Sequence, residues 1–236
     1  MEDQNIQKKS YTKVIDYIKH QIRVGNLKTG CKLPAERELS ETLGVSRNSV
    51  REAIRTLDIM GIISSQQGAG NYLTGNFENN LMESMSMMFL LKQIDYQEIS
   101  QLRRALEMQA LILAIDNITD EEIDTIKSII SQLEHESEAD NVILDKRLHY
   151  NIALASKNIL IINILDALSE ILDRFIVDFR REIQSSEEGK VVLSDAHYGM
   201  VESLIKRDKK LAYESINKHF GIIDEKLEKV SSSLVK

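Results

Sequence analysis

An aspartate and three histidines in the second half of the chain have the residue types of metal ligands. Asp145 and His149 are four residues apart, so on a helix they project from one face and can share a ligand. We expect His197 in the first turn of the penultimate helix and His219 two turns into the last one. Imidazole nitrogens and carboxylates are ordinary ligands of zinc and its neighbours. A lone histidine is more often a surface or core residue, so both interpretations stay open at this point.

The stretch that begins at Ser46 has the composition of a helix that reads DNA. Ser46 can cap the first turn. The apolar residues behind it fall at helical spacing on one face, at Val50, Ala53, Ile54 and Leu57. The other faces carry arginines and small polar residues, at Arg47, Asn48, Ser49, Arg51 and Arg55. Arginine can contact guanine or a phosphate, and asparagine can read adenine. The pattern favours a helix in the major groove; the alternative is a generic three-helix domain with solvent-exposed arginines.

The flanking elements would make this helix the second one of a helix–turn–helix motif. The first helix of the domain is expected over residues 11–24, and the helix before the turn over residues 35–43. Gly44 begins the tight turn between the two helices. Two short apolar segments can then pair as a β-hairpin with a tip of little side-chain bulk, residues 61–65 and residues 71–74. The arrangement predicts a winged helix–turn–helix.

The rest of the chain predicts helices only. A methionine-rich helix over residues 80–92 would link the two parts, and Thr119 with Glu122 has the form of a capping box that starts a further helix. The other helices are expected over residues 96–115, 140–156, 158–179, 194–207 and 208–230, with a polar loop over residues 185–189. Short loops between six or seven helices predict an antiparallel all-α bundle. The expected division is residues 1–76 for the DNA reader, residues 77–95 for the linker helix and residues 96–236 for the bundle.

Composition and charge are consistent with this division. The chain has 236 residues, of which 42% are hydrophobic, with one proline and one cysteine, so an intramolecular disulfide is excluded. Residues 1–76 carry 11 Lys and Arg against 8 Asp and Glu, whereas residues 77–236 carry 19 against 29. A basic reader attached to an acidic partner domain would show this asymmetry. Because no signal peptide and no long apolar run is evident, we expect a cytoplasmic protein without a membrane span.

The first part of the chain resembles the GntR family of bacterial transcription regulators. The resemblance rests on Leu-Pro-Ala-Glu-Arg-Glu-Leu at residues 33–39, Gly-Val-Ser-Arg at residues 44–47, Val-Arg-Glu-Ala at residues 50–53 and Gln-Gly-Ala-Gly at residues 67–70. It implies that Arg37, Arg47 and Arg51 contact DNA and that Gly68 lies at the tip of the wing. The positions that vary with the operator sequence would be Asn48 and Ser49. The expected DNA-binding set is Arg37, Ser46, Arg47, Asn48, Ser49, Arg51 and Gly68.

The second part resembles the FadR-type C-terminal ligand-binding domain of one branch of that family. The matching segments are residues 103–107, 145–149, 155–158, 196–197 and 217–219. In the metal-binding members of this branch an aspartate and three histidines hold a divalent ion, and an arginine helps to bind a small carboxylate. The resemblance implies that the metal ligands are Asp145, His149, His197 and His219, and that the arginine is Arg103. Zinc is the expected ion, with nickel and manganese as alternatives.

These observations together predict a homodimeric transcription regulator, expected to be a repressor, rather than an enzyme. Its partners would be double-stranded operator DNA and a small organic acid that changes DNA affinity. One alternative is a metal-dependent hydrolase with an appended DNA-binding domain, since three histidines and an aspartate suffice to activate water. Another is a regulator that senses an acyl thioester without a metal.

Overall fold

The computed structural model describes residues 2–75, 78–92, 96–133, 138–169 and 187–234, and these residues form ten helices and one antiparallel β-hairpin. The mainly helical fold with a small winged hairpin is therefore confirmed. The chain divides into two compact units, Met1–Ser84 and Met85–Lys236. None of the described helices combines the length and the apolarity needed to cross a membrane.

The first unit is built around three helices and the hairpin. They are α1 (Glu2–Arg23), α2 (Glu36–Leu43), α3 (Arg47–Ile59), β1 (Ile63–Gln66) and β2 (Gly70–Leu73). Helix α3 packs against α1 and α2. The core between them consists of aliphatic side chains, among them Val14, Ile18, Leu39, Val50 and Leu57. Helix α1 begins nine residues before the predicted Tyr11, because residues 2–10 contain no glycine or proline that would end it.

The turn between α2 and α3 has the predicted local chemistry. Gly44 closes α2 in the left-handed conformation, with φ 61° and its N–H donated to the Ser40 carbonyl. Ser46 has extended backbone angles and its side chain accepts the N–H of Ser49 at 3.1 Å, so the predicted N-cap of α3 is confirmed. Ala35, predicted as the first residue of α2, is the residue before it.

The hairpin is displaced slightly from its predicted position. Its register pairs Ile63 with Leu73 and Gln66 with Gly70, so the first strand begins two residues later than expected. The reason is that Gly61 has a φ of 70° and belongs to the turn that leaves α3, where its N–H is donated to the Asp58 carbonyl. The tip therefore spans residues 67–69, with Gly68 at a φ of 76°.

The second unit is a helical bundle. Helix α4 (Glu78–Lys92) contains the boundary between the units. It is followed by α5 (Tyr96–Asn117), α6 (Asp120–Leu133), α7 (Glu138–Ala155), α8 (159–169), α9 (Glu187–Lys206) and α10 (Lys209–Leu234). Helix α10 packs against α9 and α5, and α7 packs against α5 and α6. The core includes Leu111, Ile126, Leu148, Met200 and Phe220.

Two predicted helix starts can be compared directly with the bundle. The capping box is confirmed: the N–H of Thr119 is donated to the Glu122 carboxylate at 3.0 Å, and the N–H of Glu122 to the Thr119 hydroxyl at 3.3 Å. The start of α9 was wrong, because the helix begins at Glu187 and not at Ser194.

The early start of α9 changes two neighbouring predictions. His197 lies in the middle of the helix rather than in its first turn, and residues 187–189 are helical rather than part of a loop. The predicted helix from Asn158 is observed over residues 159–169, and its remaining predicted length falls outside the described residues. Asn158 accepts the N–H groups of Leu160 and Ile161, as a cap does.

Candidate functional site

The exposed face of α3 carries the predicted DNA-contacting residues. Arg47, Asn48 and Arg51 are exposed, whereas the apolar residues of the opposite face are buried in the core of the first unit. Ser49 differs from its neighbours: it is only 2% exposed, and its hydroxyl lies 2.9 Å from that of Ser46. Ser49 therefore belongs to the cap of the helix and to its packed face, and not to the exposed arginine face.

Two of the predicted DNA-contacting arginines, Arg51 of α3 and Arg37 of α2, form ion pairs with glutamates that sequence reasoning did not single out. Arg51 Nε donates to Glu36 Oε2 at 2.9 Å, which joins α3 to α2, and Arg37 Nε lies 3.8 Å from Glu41 Oε1. The Arg51 side chain is still 69% exposed, and that of Arg37 74%. Both guanidinium groups are therefore accessible to a phosphate or a base edge.

The wing places a further cation beside the predicted tip. Gly68 is exposed, and at a φ of 76° it has a conformation that suits glycine. Lys32, which the sequence analysis did not consider, is exposed and crosses the base of the wing, with Nζ 5.9 Å from the centre of the Tyr72 ring. A Cβ atom at Gly70 would lie 2.6 Å from Lys32 Cε, so glycine allows this close approach.

Three helices of the second unit bring three histidine rings together. His149 comes from α7, His197 from α9 and His219 from α10, and their ring centres are 4.8 to 5.4 Å apart. One ring nitrogen from each histidine lies within 4.8 Å of the others. His197 and His219 are only 4% and 3% exposed. The bundle therefore assembles these three side chains in its interior.

The predicted fourth ligand lies beside them. Asp145 Oδ1 is 3.1 Å from His197 Nε2 and 3.8 Å from His149 Nε2. Asp145 and His149 are one helical turn apart on α7, as the spacing predicted. The structure thus brings together all four residues that the resemblance implied as ligands.

The donor atoms of the cluster fit a metal ion. His149 Nε2, His197 Nε2 and His219 Nδ1 are buried and form no hydrogen bond with the described residues, although two of them lie near Asp145. Buried polar atoms without a partner are rare, and each calls for an explanation such as an ion. Three imidazole nitrogens and a carboxylate match the ligand set of zinc and similar divalent ions.

Glu107 is the residue of this site that sequence reasoning missed. It lies on α5 and is buried, with Oε2 2.6 Å from His149 Nδ1. Its other oxygen, Oε1, accepts Arg103 Nε at 2.8 Å and lies 2.5 Å from Arg103 Nη2. Two signals for it were present in the sequence: Glu107 stands one turn after Arg103, and it ends the segment 103–107 that carries the family resemblance. It therefore connects the predicted effector arginine with a predicted metal ligand.

The charges around Glu107 determine which groups are ionised. Burial alone would raise the pKa of the Glu107 carboxyl, but the charges of Arg103 and His149 outweigh burial and hold that pKa far below its usual range. For His149, burial would lower the pKa, and the charge and contact of Glu107 reverse this and raise it. Burial and the neighbouring histidines lower the pKa of His219 well below its usual value, which favours the neutral imidazole.

A small cavity adjoins Glu107 and His149. Its volume is about 10 Å³, which is about the space that one water molecule requires. Apart from these two residues its lining is apolar, with Ala110, Ile152, Leu165, Met200 and Ile216. The space beside the cluster is thus narrow and mostly hydrophobic.

Arg104, next to Arg103 in the sequence, has a different environment. It donates to Asn217 Oδ1 through Nε at 3.1 Å and to Asp224 Oδ2 through Nη1 at 3.1 Å. Both partners lie on α10, so Arg104 ties α5 to α10. The two adjacent arginines are therefore held by different carboxylates, Arg103 by Glu107 and Arg104 by Asp224.

The helices that carry two of the histidines approach each other closely at a glycine. A Cβ atom on Gly199 of α9 would lie 2.2 Å from Ser215 Oγ and 3.1 Å from Ser215 Cβ of α10. Ser215 is buried. Gly199 is two residues from His197 and Ser215 is four residues from His219, so this crossing lies within about one helical turn of both histidines along the chain.

Comparison with known proteins agrees with both units. Residues 10–73 match the family of bacterial regulatory proteins, gntR family, and residues 98–221 match the FCD domain. The chain is 27% identical to the uncharacterized HTH-type transcriptional regulator YcbG of Bacillus subtilis over 216 residues, which are 92% of this chain and 89% of the relative. It is 31% identical to the HTH-type transcriptional regulator LutR of the same organism over 154 residues, 64% of this chain and 70% of the relative.

A third relative is similar in sequence, and a solved structure is similar in fold. The Uxu operon regulator of Haemophilus influenzae is 28% identical over 201 residues, 84% of this chain and 72% of the relative. The fold matches a GntR structure from Streptococcus agalactiae with a TM-score of 0.66 at 23% identity, covering 90% of this chain and 98% of that one. These relatives are named as regulators and not as enzymes, which argues against the hydrolase alternative. The chain therefore belongs to the GntR family of bacterial transcription regulators and carries an FCD domain.

Proposed function

We propose that this regulator is a homodimeric repressor whose operator affinity is set by a small carboxylate bound at a divalent metal ion. The observation that carries the proposal is the group of three buried histidine nitrogens without hydrogen-bond partners among the described residues. A protein interior in which such groups remained unsatisfied would lose stability, and a metal ion removes that cost.

The ion would be held by the four residues that the second unit assembles, Asp145, His149, His197 and His219. Zinc is the expected ion, and nickel and manganese remain the alternatives. When bound, such an ion supplies positive charge and coordination positions for carboxylate oxygens. Arg103 would take up the effector carboxylate through the part of its guanidinium group that Glu107 does not use. No hydrogen bond from Arg103 Nη1 to a described residue is present.

The first unit would bind operator DNA in the cytoplasm. The exposed arginines of α2 and α3 would contact the major groove, together with Asn48, and the wing tip at Gly68 would enter the minor groove. A homodimer presents two such readers, so the operator should be a short interrupted palindrome. We assign the reader to residues 1–76, the linker to residues 77–95 and the effector-binding domain to residues 96–236.

Control of DNA affinity by the effector would follow from linkage. An effector shifts operator binding only to the extent that it binds two arrangements of the dimer differently. The narrow, mostly apolar space beside the histidines disfavours a bulky acyl thioester. The naming of the Haemophilus relative as an operon regulator supports action at an operon.

The proposal is tested by metal analysis combined with calorimetry. Protein purified without chelators should contain about one divalent ion per chain, and a panel of small carboxylates should include one that binds and changes operator affinity. Arg103→Lys keeps the charge but loses the planar fork, so it should weaken effector binding while metal content stays normal. The matched control is Arg104→Lys, because Arg104 is held outside the cluster. A protein that lacks metal and gains no stability from added zinc would contradict the proposal.

A further inference from the structure

The positive charge of Arg103 is already balanced by a residue of the protein. Both Arg103 contacts to Glu107 use the same oxygen, Oε1, and the two side chains are only 14% and 6% exposed. A buried ion pair of this kind leaves little uncompensated charge for a second anion. Arg103 can therefore orient a carboxylate through Nη1, but it does not supply a full positive charge to it.

The charges of the metal cluster can be counted in the same way. Glu107 and Asp145 each contribute one negative charge, Arg103 contributes one positive charge, and the three histidines are neutral when they act as ligands. A divalent ion would add two positive charges. The described groups of the site would then have one positive charge in excess, which a single carboxylate would neutralise.

Among the described residues that line the adjacent cavity, none is a lysine or arginine that could pair with a second carboxylate. Apart from Glu107 and His149, its described lining residues are aliphatic or methionine. An ionised carboxylate in such surroundings loses its hydration without gaining a partner, which is strongly unfavourable. Glu107 would repel it as well, because that residue is itself ionised.

We propose that Glu107 determines the charge of the effector and restricts this site to monocarboxylates, such as short 2-hydroxy acids, against dicarboxylates of the same length. The inference rests on the proposed function, since it assumes that the effector binds at the metal cluster. Glu107 acts as a specificity-determining residue by neutralising Arg103 from within the protein. Without its negative charge, the metal-loaded site would have a second positive charge in excess and would accept a dianion.

The test compares two ligands that differ in one carboxylate. The pair 2-hydroxybutyrate and malate share the 2-hydroxy acid group, and a terminal methyl of the first is replaced by a carboxylate in the second. Calorimetry on the zinc-loaded full-length protein gives the ratio of their dissociation constants. We expect the wild type to prefer 2-hydroxybutyrate by ~10-fold or more, because the unpaired charge lies at short range in a poorly solvated site. In Glu107→Gln the ratio should shift by ~10-fold or more towards malate.

Two variants separate charge selection from a loss of structure. Asp224→Asn removes the carboxylate of α10 that holds Arg104, outside the histidine cluster, and should leave the ligand ratio unchanged. The double variant Arg103→Gln/Glu107→Gln removes both charges of the buried pair. It should bind both ligands more weakly but retain the preference for 2-hydroxybutyrate, since the net charge is the same as in the wild type.

The outcomes distinguish this inference from the proposed function. A wild type that prefers malate, or a Glu107→Gln variant that weakens both ligands equally, would overturn the inference and leave carboxylate binding in place. If Glu107→Gln does not fold, the double variant Arg103→Gln/Glu107→Gln provides the test. A preference of this double variant for malate would overturn the inference. If no carboxylate of a broad panel binds the zinc-loaded wild type, the proposed function fails, and this inference fails with it.

Discussion

The predicted DNA-binding surface, formed by the exposed arginines of α2 and α3, and the histidine cluster of the bundle both depend on charged side chains. The two regions differ in how far these side chains are exposed to solvent. On α2 and α3 the arginines are exposed, and their glutamate partners contact them at the surface. In the bundle Arg103, Glu107 and the three histidines are almost completely buried, and each touches another member of the group. The charges of exposed arginines are screened by water and salt, so such an arginine can exchange its glutamate partner for a DNA phosphate. Buried charges are fixed in position, and changing one of them disturbs the others.

Replacing a glutamate by glutamine should therefore lower the free energy of unfolding most at Glu107. Glu107→Gln leaves Arg103 buried without its counter-charge, and losing one partner of a buried pair costs about 3–5 kcal/mol. Urea unfolding of the zinc-free protein measures this loss without a contribution from bound metal. A change below about 1 kcal/mol would show that the pair is better solvated than its burial indicates.

Removing a proposed metal ligand should lower the stability by a similar amount, but only when metal is available to bind the wild type. His219→Ala should lower both the metal content and the melting temperature, because binding to the folded state alone stabilises it by about 4 kcal/mol at a free metal concentration 1,000 times Kd. Elemental analysis and thermal unfolding with and without zinc measure the two effects. His20→Ala, on the exposed side of α1, is the control and should change neither. Equal metal content in the two variants would exclude His219 as a ligand.

An exposed arginine of the reader should matter for DNA and not for stability. Arg47→Ala removes a contact in the groove, which should cost about 1–3 kcal/mol per half-site in operator binding. Fluorescence anisotropy with a selected operator at moderate salt measures the loss. Arg23→Ala, an exposed arginine at the end of α1, changes the net charge equally and serves as control. If both variants lose the same affinity, the effect is one of net charge and not of a specific contact.

The smallest effect is expected at Glu36, the exposed counterpart of Glu107. Glu36→Gln removes the partner of Arg51, yet an exposed pair of this kind contributes only about 0–1 kcal/mol. Urea unfolding under the conditions used for Glu107→Gln gives the direct comparison. A loss as large as that of Glu107→Gln would mean that the contrast between the two regions is wrong.

The sequence was sufficient wherever a feature depends on residues close together in the chain. The Ser46 cap, the Gly44 turn and the Thr119 capping box are local, and each was predicted correctly. The four candidate metal ligands were grouped because a family resemblance supplied the tertiary arrangement that spacing alone does not, and the structure brings their side chains together. Glu107 was missed since its contact with His149 joins α5 to α7 and leaves no trace in local spacing.

One error and one unexpected burial also have physical reasons. The start of α9 was placed too late because Gly189 and its polar neighbours resemble a loop, although they belong to the helix. Ser49 stays a predicted DNA-contacting residue, but its position in the first turn directs its side chain to the cap and into the packed face of α3. Burial of a small polar residue of this kind is decided by the neighbouring helices.

The close contact of α9 and α10 at Gly199 has a consequence for how such centres persist in evolution. His197 and His219 lie on the two helices that cross at Gly199, so their separation depends on how closely these helices approach there. Gly199 itself has no side chain and takes part in no chemistry. A lineage could keep every ligand and still lose the geometry of the centre through one added methyl group at this crossing. The four candidate ligands are therefore not sufficient to define the geometry of the centre, which also depends on a small residue at the helix crossing.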